Sequence, residues 1–112
     1  MYYIYMLRCE DNSLYTGITI DIKRRYQEHI NKDKEKCAKY TLRHNAKSIE
    51  ALWKTENRKL ASKLEYHIKK LTKSKKEELI QNNNLEKLLG EKIETNKYER
   101  IEINMWFSYN KL

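Results

Sequence analysis

The apolar positions of the first twenty residues fall into two short runs. Residues 2–8 (YYIYMLR) and 14–20 (LYTGITI) are β-branched and aromatic, which suits buried strands. Between them lies Glu10-Asp11-Asn12-Ser13, short polar side chains that tolerate unusual backbone angles, so the pair predicts a hairpin. Gly17 inside the second run is costly unless something approaches the backbone closely. The period then lengthens. Asp21 stands where a helix cap belongs, and Ile22, Tyr26 and Ile30 recur at i, i+4 and i+8 as a stripe expected to face the core. Arg25 and His29, also four apart, sit one above the other on a neighbouring face. Residues 36–44 (KCAKYTLRH) predict a short basic helix or loop, and the alternation of Ile49, Ala51 and Trp53 with Ser48, Glu50 and Lys54 predicts a third strand. From Arg58 the stripe Leu60, Leu64, Ile68 and Leu71 is helical, with Glu65 at its edge. Ser74 and Glu77 have capping-box spacing for a further helix ending near Asn82, Asn83 and Asn84. The expected order is β-β-α-α-β-α-α.

The C-terminal stretch has a weaker pattern. Residues 84–91 can extend a helix to a stop at Gly90, and residues 99–109 (ERIEINMWFSY) have strand-like character. They suit an extra strand or a contact surface carrying Trp106, Phe107 and Tyr109; packing back onto the domain is preferred over a partner surface.

Composition narrows the class. A chain of 112 residues has the size of one domain, and 39% hydrophobic against 36% charged residues leaves a small core. No proline and only two glycines favour continuous elements over a loop-rich or disordered chain. The net charge of +8 is unevenly placed: residues 1–81 hold 19 Lys/Arg against 11 Asp/Glu, whereas residues 82–112 hold five of each. Such an excess attracts polyanions, nucleic acid before acidic membrane, although a solvated lysine-rich surface accounts for composition alone equally well. Nine tyrosines against one phenylalanine can put hydroxyls into a site. Cys9 and Cys37 have no metal-like spacing and form no disulfide framework; they read as reduced thiols of a cytoplasmic protein. The N-terminal apolar run is too short for a signal-peptide core and has no basic segment before it, so no signal sequence is expected, and no stretch approaches the ~20 apolar residues that span a bilayer.

Taken singly, the candidate chemical residues have ordinary explanations: Tyr5 as strand packing, Arg25 and His29 as surface groups, Glu65 as the ion-pair partner of Lys69. Their spacing changes this. Tyr3-Ile4-Tyr5 is followed by Tyr15-Thr16-Gly17, then by Arg25 and His29. The chain reads YMLRCEDNSLYTGIT over residues 6–19, D-x-x-RR-x-x-EH over 21–29, AKYT over 38–41 and A-x-x-x-E-x-x-IK-x-L over 61–71. It resembles the GIY-YIG endonuclease superfamily, and within it the small stand-alone bacterial YhbQ-like branch, over roughly residues 1–81. Both tripeptides depart from the family pattern, with Tyr3 and Thr16 at positions that carry no catalytic side chain; Ile18 replaces a basic residue found in some relatives.

The resemblance implies an α+β fold, a three-stranded antiparallel sheet flanked by helices over residues 1–81. Residues 82–112 lie outside it and are expected as a C-terminal extension of unassigned role, packed on the domain. It implies Glu65 as the single carboxylate ligand of Mg²⁺ or Mn²⁺, and Arg25 on the scissile phosphate. It further implies Tyr5 activating water, Tyr15 positioning water or phosphate, and His29 orienting a tyrosine hydroxyl or relaying a proton. A tyrosine with a pKa near about 10 needs a neighbouring cation, Arg25 or the metal, to serve as a base at neutral pH. Gly17 is expected as a structural element of the site. Arg24, Lys39, Tyr40, Arg43, Lys69 and Lys73, with Lys76, are candidates for a DNA phosphate track, which supplies affinity without base reading. The expected function is metal-dependent DNA endonuclease, structure-selective (branched or single-stranded DNA) or weakly sequence-specific, in repair or recombination. No small-molecule organic cofactor is expected. A non-catalytic nucleic-acid-binding module on the same scaffold is the alternative.

Overall fold

A computed structural model describes residues 1–31 and 39–103. In chain order the elements are strands β1 (Tyr2–Cys9) and β2 (Leu14–Thr19), helices α1 (Ile22–Ile30) and α2 (Lys39–His44), strand β3 (Ala46–Thr55), helices α3 (Arg58–Lys69), α4 (Lys73–Asn82) and α5 (Leu85–Leu89), a 3₁₀ turn (Thr95–Lys97) and strand β4 (Glu99–Arg100). The sheet is antiparallel, in the order β2-β1-β3-β4. It therefore has four strands and not the expected three. The added strand is short: Arg100 pairs with Trp53 and Glu99 with Lys54. Strand-like residues from position 99 onward were visible in the sequence, but a two-residue pairing is decided by where the returning chain meets the β3 edge. Cys37, Trp106, Phe107 and Tyr109 lie outside the described residues.

Each face of the sheet carries its own apolar cluster. Ile4, Met6, Ala51 and Trp53 pack with Ala61, Leu64 and Ile68 of α3 and Leu79 of α4; Leu85, Leu89, Ile93 and Tyr98 belong to the same cluster. The other face gathers Tyr5, Leu7, Ile22, Ile49 and Leu52, with Tyr3, Tyr15 and Tyr26 against them. Ile49 is thus not on the face of Ala51 and Trp53, as simple alternation implied. The register explains it: Met6 pairs with Ala51 but Leu7 with Ile49, leaving Glu50 as the extra residue of a bulge. One inserted residue reverses the side on which the residues just before it point, until a second register shift between the Arg8–Ser48 and Cys9–Ala46 pairs.

Two local expectations also change. In α1 the buried positions are Ile22 and His29, while Ile30 is 37% exposed, so the helix is rotated toward its histidine. The α4 cap is Thr72, whose Oγ1 accepts from the Lys75 amide at 3.2 Å, and not Ser74. Glu77 is drawn away to the sheet, where it accepts from Arg8 Nη1 and Nη2 at 2.6 and 2.7 Å. The Asp21 cap of α1 is present, its carboxylate accepting from the Arg24 amide at 3.1 Å. Asn83 closes α4 in the left-handed conformation (φ 48°) that asparagine tolerates.

Arg100 ties β4 to this helix end. It donates to the Leu79 and Ile80 carbonyls (3.3 and 3.1 Å) and to Asn83 Oδ1 (3.2 Å), with its guanidinium 5.1 Å over the Trp53 ring. Hydrogen bonds from a charged donor and a cation–π contact each contribute on the order of 1 kcal/mol. Arg100→Ala should therefore lower stability by about 1–3 kcal/mol in urea unfolding; an unchanged midpoint would show that the arginine does not hold the segment.

Candidate active site

The site begins with the pairing of Tyr5 on the central strand β1 with Gly17 on the edge strand β2. A Cβ at Gly17 would stand 2.5 Å from the Tyr5 hydroxyl oxygen and 3.0 Å from the Tyr15 ring. The close approach that a mid-strand glycine implied is made by a tyrosine side chain, and the glycine's backbone has no positive φ. Its role is space, not conformational freedom.

Helix α1 brings His29 against this tyrosine. His29 is fully buried, and its Nε2 is 2.8 Å from the Tyr5 hydroxyl. Its Nδ1 is 2.8 Å from Thr41 Oγ1 on α2, which is also fully buried. Arg25, one turn earlier, donates from Nε to the same tyrosine oxygen at 3.4 Å and from Nη1 to Glu28 at 3.0 Å. The Tyr5, Tyr15 and His29 rings lie 5.4–6.2 Å apart. Helix α3 packs along β2 and carries Glu65 to the same place, close enough for its charge to act on the Tyr5 hydroxyl. Lys69 ion-pairs with Glu65 at 3.4 Å and stands 5.9 Å over the Tyr15 ring.

The electrostatics follow from burial. The Tyr5 hydroxyl is pushed well above its ordinary range, first by burial and then by Tyr15; the Arg25 hydrogen bond and charge oppose this without reversing it. Of the two cations expected to lower a tyrosine base, Arg25 alone does not suffice for Tyr5, because burial penalises the phenolate more than one guanidinium relieves. His29 is lowered from 6.5 to about 4, by burial and then by the Arg25 charge, so it is neutral at pH 7. Burial costs Arg25 some stability as a cation, but its bonds to Tyr5 and Glu28 outweigh that, and it stays charged.

Tyr5, Tyr15, Arg25, His29, Gly17, Glu65 and Lys69 therefore converge. Tyr40 joins them at the rim, its ring 5.7 Å from Tyr15 and stacked at 4.2 Å on His44. Lys73 lies farther along; it donates to the Asn12 carbonyl, pairs with Glu77 at 3.7 Å, and with Lys69 helps to lower the pKa of Lys76, where burial is the larger cause. Arg24 points outward, 62% exposed against 22% for Arg25, and Lys39 and Arg43 are exposed on α2. Glu28 and Thr41 were not singled out from the sequence. Glu28 could have been found from its i+3 spacing to Arg25; nothing local marks Thr41, which meets His29 only through the fold.

A divalent cation fits one arrangement here. Among the described residues no group of three or more His, Cys, Asp or Glu side chains could hold a metal. A cage of three or more such ligands is not available from them, but a hard cation that keeps most of its waters needs only one or two carboxylates, and Glu65 is partly exposed and beside the tyrosines.

Comparison with known proteins gives the same frame. The GIY-YIG catalytic domain family model matches residues 1–78. A UPF0213 protein of Fusobacterium nucleatum is 48% identical over 79 residues, 70% of this chain and 76% of its own. The UPF0213 protein YhbQ of Salmonella typhimurium is 40% identical over 79 residues, again 70% and 76% of the two chains. The solution NMR structure of a UPF0213 protein from Bacillus halodurans matches at 37% identity and a TM-score of 0.44, covering 71% of this chain and 83% of that one.

Two outcomes test the geometry. Gly17→Ala should cost about 1–3 kcal/mol in urea unfolding, since the Tyr5 ring it displaces is held by His29 and Arg25; an unchanged midpoint would mean the ring moves aside freely. Because His29 falls from 6.5 to about 4 on folding, the unfolded chain binds more protons between those values. Its contribution to stability is complete above about pH 6.5 and declines as pH falls toward 4, by about 3 kcal/mol at most. The difference in unfolding free energy between wild type and His29→Gln should narrow over that window; a constant difference would contradict a buried neutral histidine.

Proposed function

The chain belongs to the GIY-YIG catalytic domain family, with UPF0213 (YhbQ-like) relatives, and from that premise we propose that it is a divalent-metal-dependent endonuclease that hydrolyses DNA phosphodiester bonds. The observation that carries this reading is the buried contact of Tyr5 with a neutral His29 and a charged Arg25, within reach of the Glu65 charge.

Phosphodiester hydrolysis needs a nucleophilic water, a grip on the phosphoryl oxygens and relief of charge on the leaving oxygen. Arg25 supplies the grip: it is held by Glu28, retains its charge and is of the type that binds phosphate oxygens. Tyr5 is too weakly acidic to wait as a phenolate. It can take a proton from water as it gives its own to His29 Nε2, at 2.8 Å. The Arg25 charge opposes an imidazolium at His29, and a phosphate bound to Arg25 offsets that charge. Substrate binding thus prepares the acceptor. Tyr15, ring to ring with both Tyr5 and His29, positions the water or a phosphate oxygen. Glu65 would hold Mg²⁺ or Mn²⁺, which supplies Lewis acidity to the phosphate and leaving oxygen. Lys69 must then exchange its carboxylate partner for DNA phosphate.

Lys69, Lys73 and Lys76 extend this grip along α3 and α4, with Lys39, Tyr40 and Arg43 on α2 and Arg24 outside α1. Such contacts read the backbone and not the bases, so weak sequence specificity or selection of branched or single-stranded DNA follows, in a cytoplasmic role in repair or recombination. Among the described residues no helix is long and apolar enough to cross a membrane.

Cleavage of branched, single-stranded and duplex DNA is the test. Glu65→Ala and EDTA should each reduce Mg²⁺- or Mn²⁺-supported cutting at least about 100-fold while DNA binding persists. Binding without metal-dependent cutting of any substrate by the wild type would favour the non-catalytic module, and full activity in Glu65→Ala would remove Glu65 from the centre.

A further inference from the structure

Tyr5 can hand its proton to His29 only if Nε2 carries a lone pair. A neutral imidazole has one N–H, so that proton must then sit on Nδ1, where it needs an acceptor. The group 2.8 Å from Nδ1 is Thr41 Oγ1, and both side chains are fully buried, where an unmatched polar atom is costly. On the other side Arg25, which can only donate, occupies one lone pair of the Tyr5 oxygen, an arrangement compatible with a phenol proton directed at Nε2.

Thr41 is itself held in place. Its carbonyl accepts from the Asn45 amide at 3.1 Å, where the left-handed Asn45 (φ 59°) follows the last residue of α2. The Asn45 carbonyl in turn accepts from the Glu10 amide at 2.9 Å, which ties α2 to the β1–β2 hairpin. His44, next in the chain, contacts Asp11 of the same hairpin turn and stacks on Tyr40. The hydroxyl therefore belongs to a rigid frame built from the strands that present Tyr5 and Tyr15.

We propose that Thr41 is a positioning residue of this centre: its hydroxyl accepts the His29 Nδ1–H, fixing the ring and its tautomer with Nε2 bare toward Tyr5. The tautomer rests on the nuclease reading, because it is the proton passed on from Tyr5 that requires a bare Nε2.

The experiment compares wild type, Thr41→Val and Thr41→Ser by ¹⁵N ring shifts of His29 and by steady-state DNA cleavage with Mg²⁺ or Mn²⁺. Wild type should show His29 in the Nδ1–H form. Thr41→Val, close in shape but without the hydroxyl, should shift the ring toward Nε2–H and lower kcat about 10-fold or more with KM for DNA little changed, and Thr41→Ser should restore both. A wild-type Nε2–H ring, or an Nδ1–H ring that persists in Thr41→Val, overturns the proposal. So does a Thr41→Ser ring that leaves the Nδ1–H form, which decides the matter if Thr41→Val does not fold. A wild type with Nδ1–H that cuts no DNA sinks the nuclease reading and leaves the assignment of Thr41 standing.

Discussion

The buried hydrogen bond between the Tyr5 hydroxyl and His29 Nε2 sets the terms for the elements around it. A phenol and an imidazole on an apolar face of a sheet are tolerable only when each polar atom has a partner. That requirement rotates α1 so that His29 faces inward and Ile30 outward. It brings α2 in to meet the second ring nitrogen, and it calls for a residue without a side chain where the Tyr5 ring crosses β2, which is Gly17. The apolar cluster on that face, Leu7, Ile22, Ile49 and Leu52, surrounds the pair with material of low polarizability and keeps both groups neutral.

Neutrality is what makes the arrangement chemically interesting. A charged histidine beside Arg25 would be disfavoured, and a phenolate without a nearby cation would be too costly to maintain. The protein holds both groups in their uncharged forms and keeps its fixed charges, Arg25, Glu28 and Glu65, around them. Charge that arrives with a phosphate or a cation can then alter the proton distribution, because little water stands between the groups to screen it. The opposite face has a different task. There α3, α4 and the residues from Leu85 to Tyr98 pack on Ile4, Met6, Ala51 and Trp53, and they fix where Glu65 and the lysines of α3 and α4 stand. The Glu50 bulge serves both faces: it lets β3 give Ile49 to one cluster and Ala51 and Trp53 to the other.

Much of this was legible in the chain itself. β-Branched and aromatic runs at 2–8 and 14–20 mark buried strands by composition, and period-3.6 stripes from Asp21 and Arg58 report helical geometry because side-chain direction repeats with the element. The elements found over residues 2–89 follow that order. Tyr5, Tyr15, Arg25, His29 and Glu65 stand at the spacing of a known family, and the fold draws these five residues together. A costly glycine in mid-strand announced a close approach before its partner was known. What remained out of reach depends on relations between distant segments. The Glu50 bulge is a property of the β1–β3 register, the fourth strand of where the chain returns, and the Thr72 cap of a competition in which Arg8 claims Glu77. Thr41 is twelve residues from His29, and no local periodicity connects them. Nor could the direction of the Tyr5 pKa be read from neighbours in sequence, since it is the balance of burial against a guanidinium brought in by another element. The sequence by itself determined which chemical groups the protein has and on which elements they ride. The tertiary structure decided which of them are stripped of water and which face one another, because burial and through-space contact are properties of the packed chain and not of any segment within it.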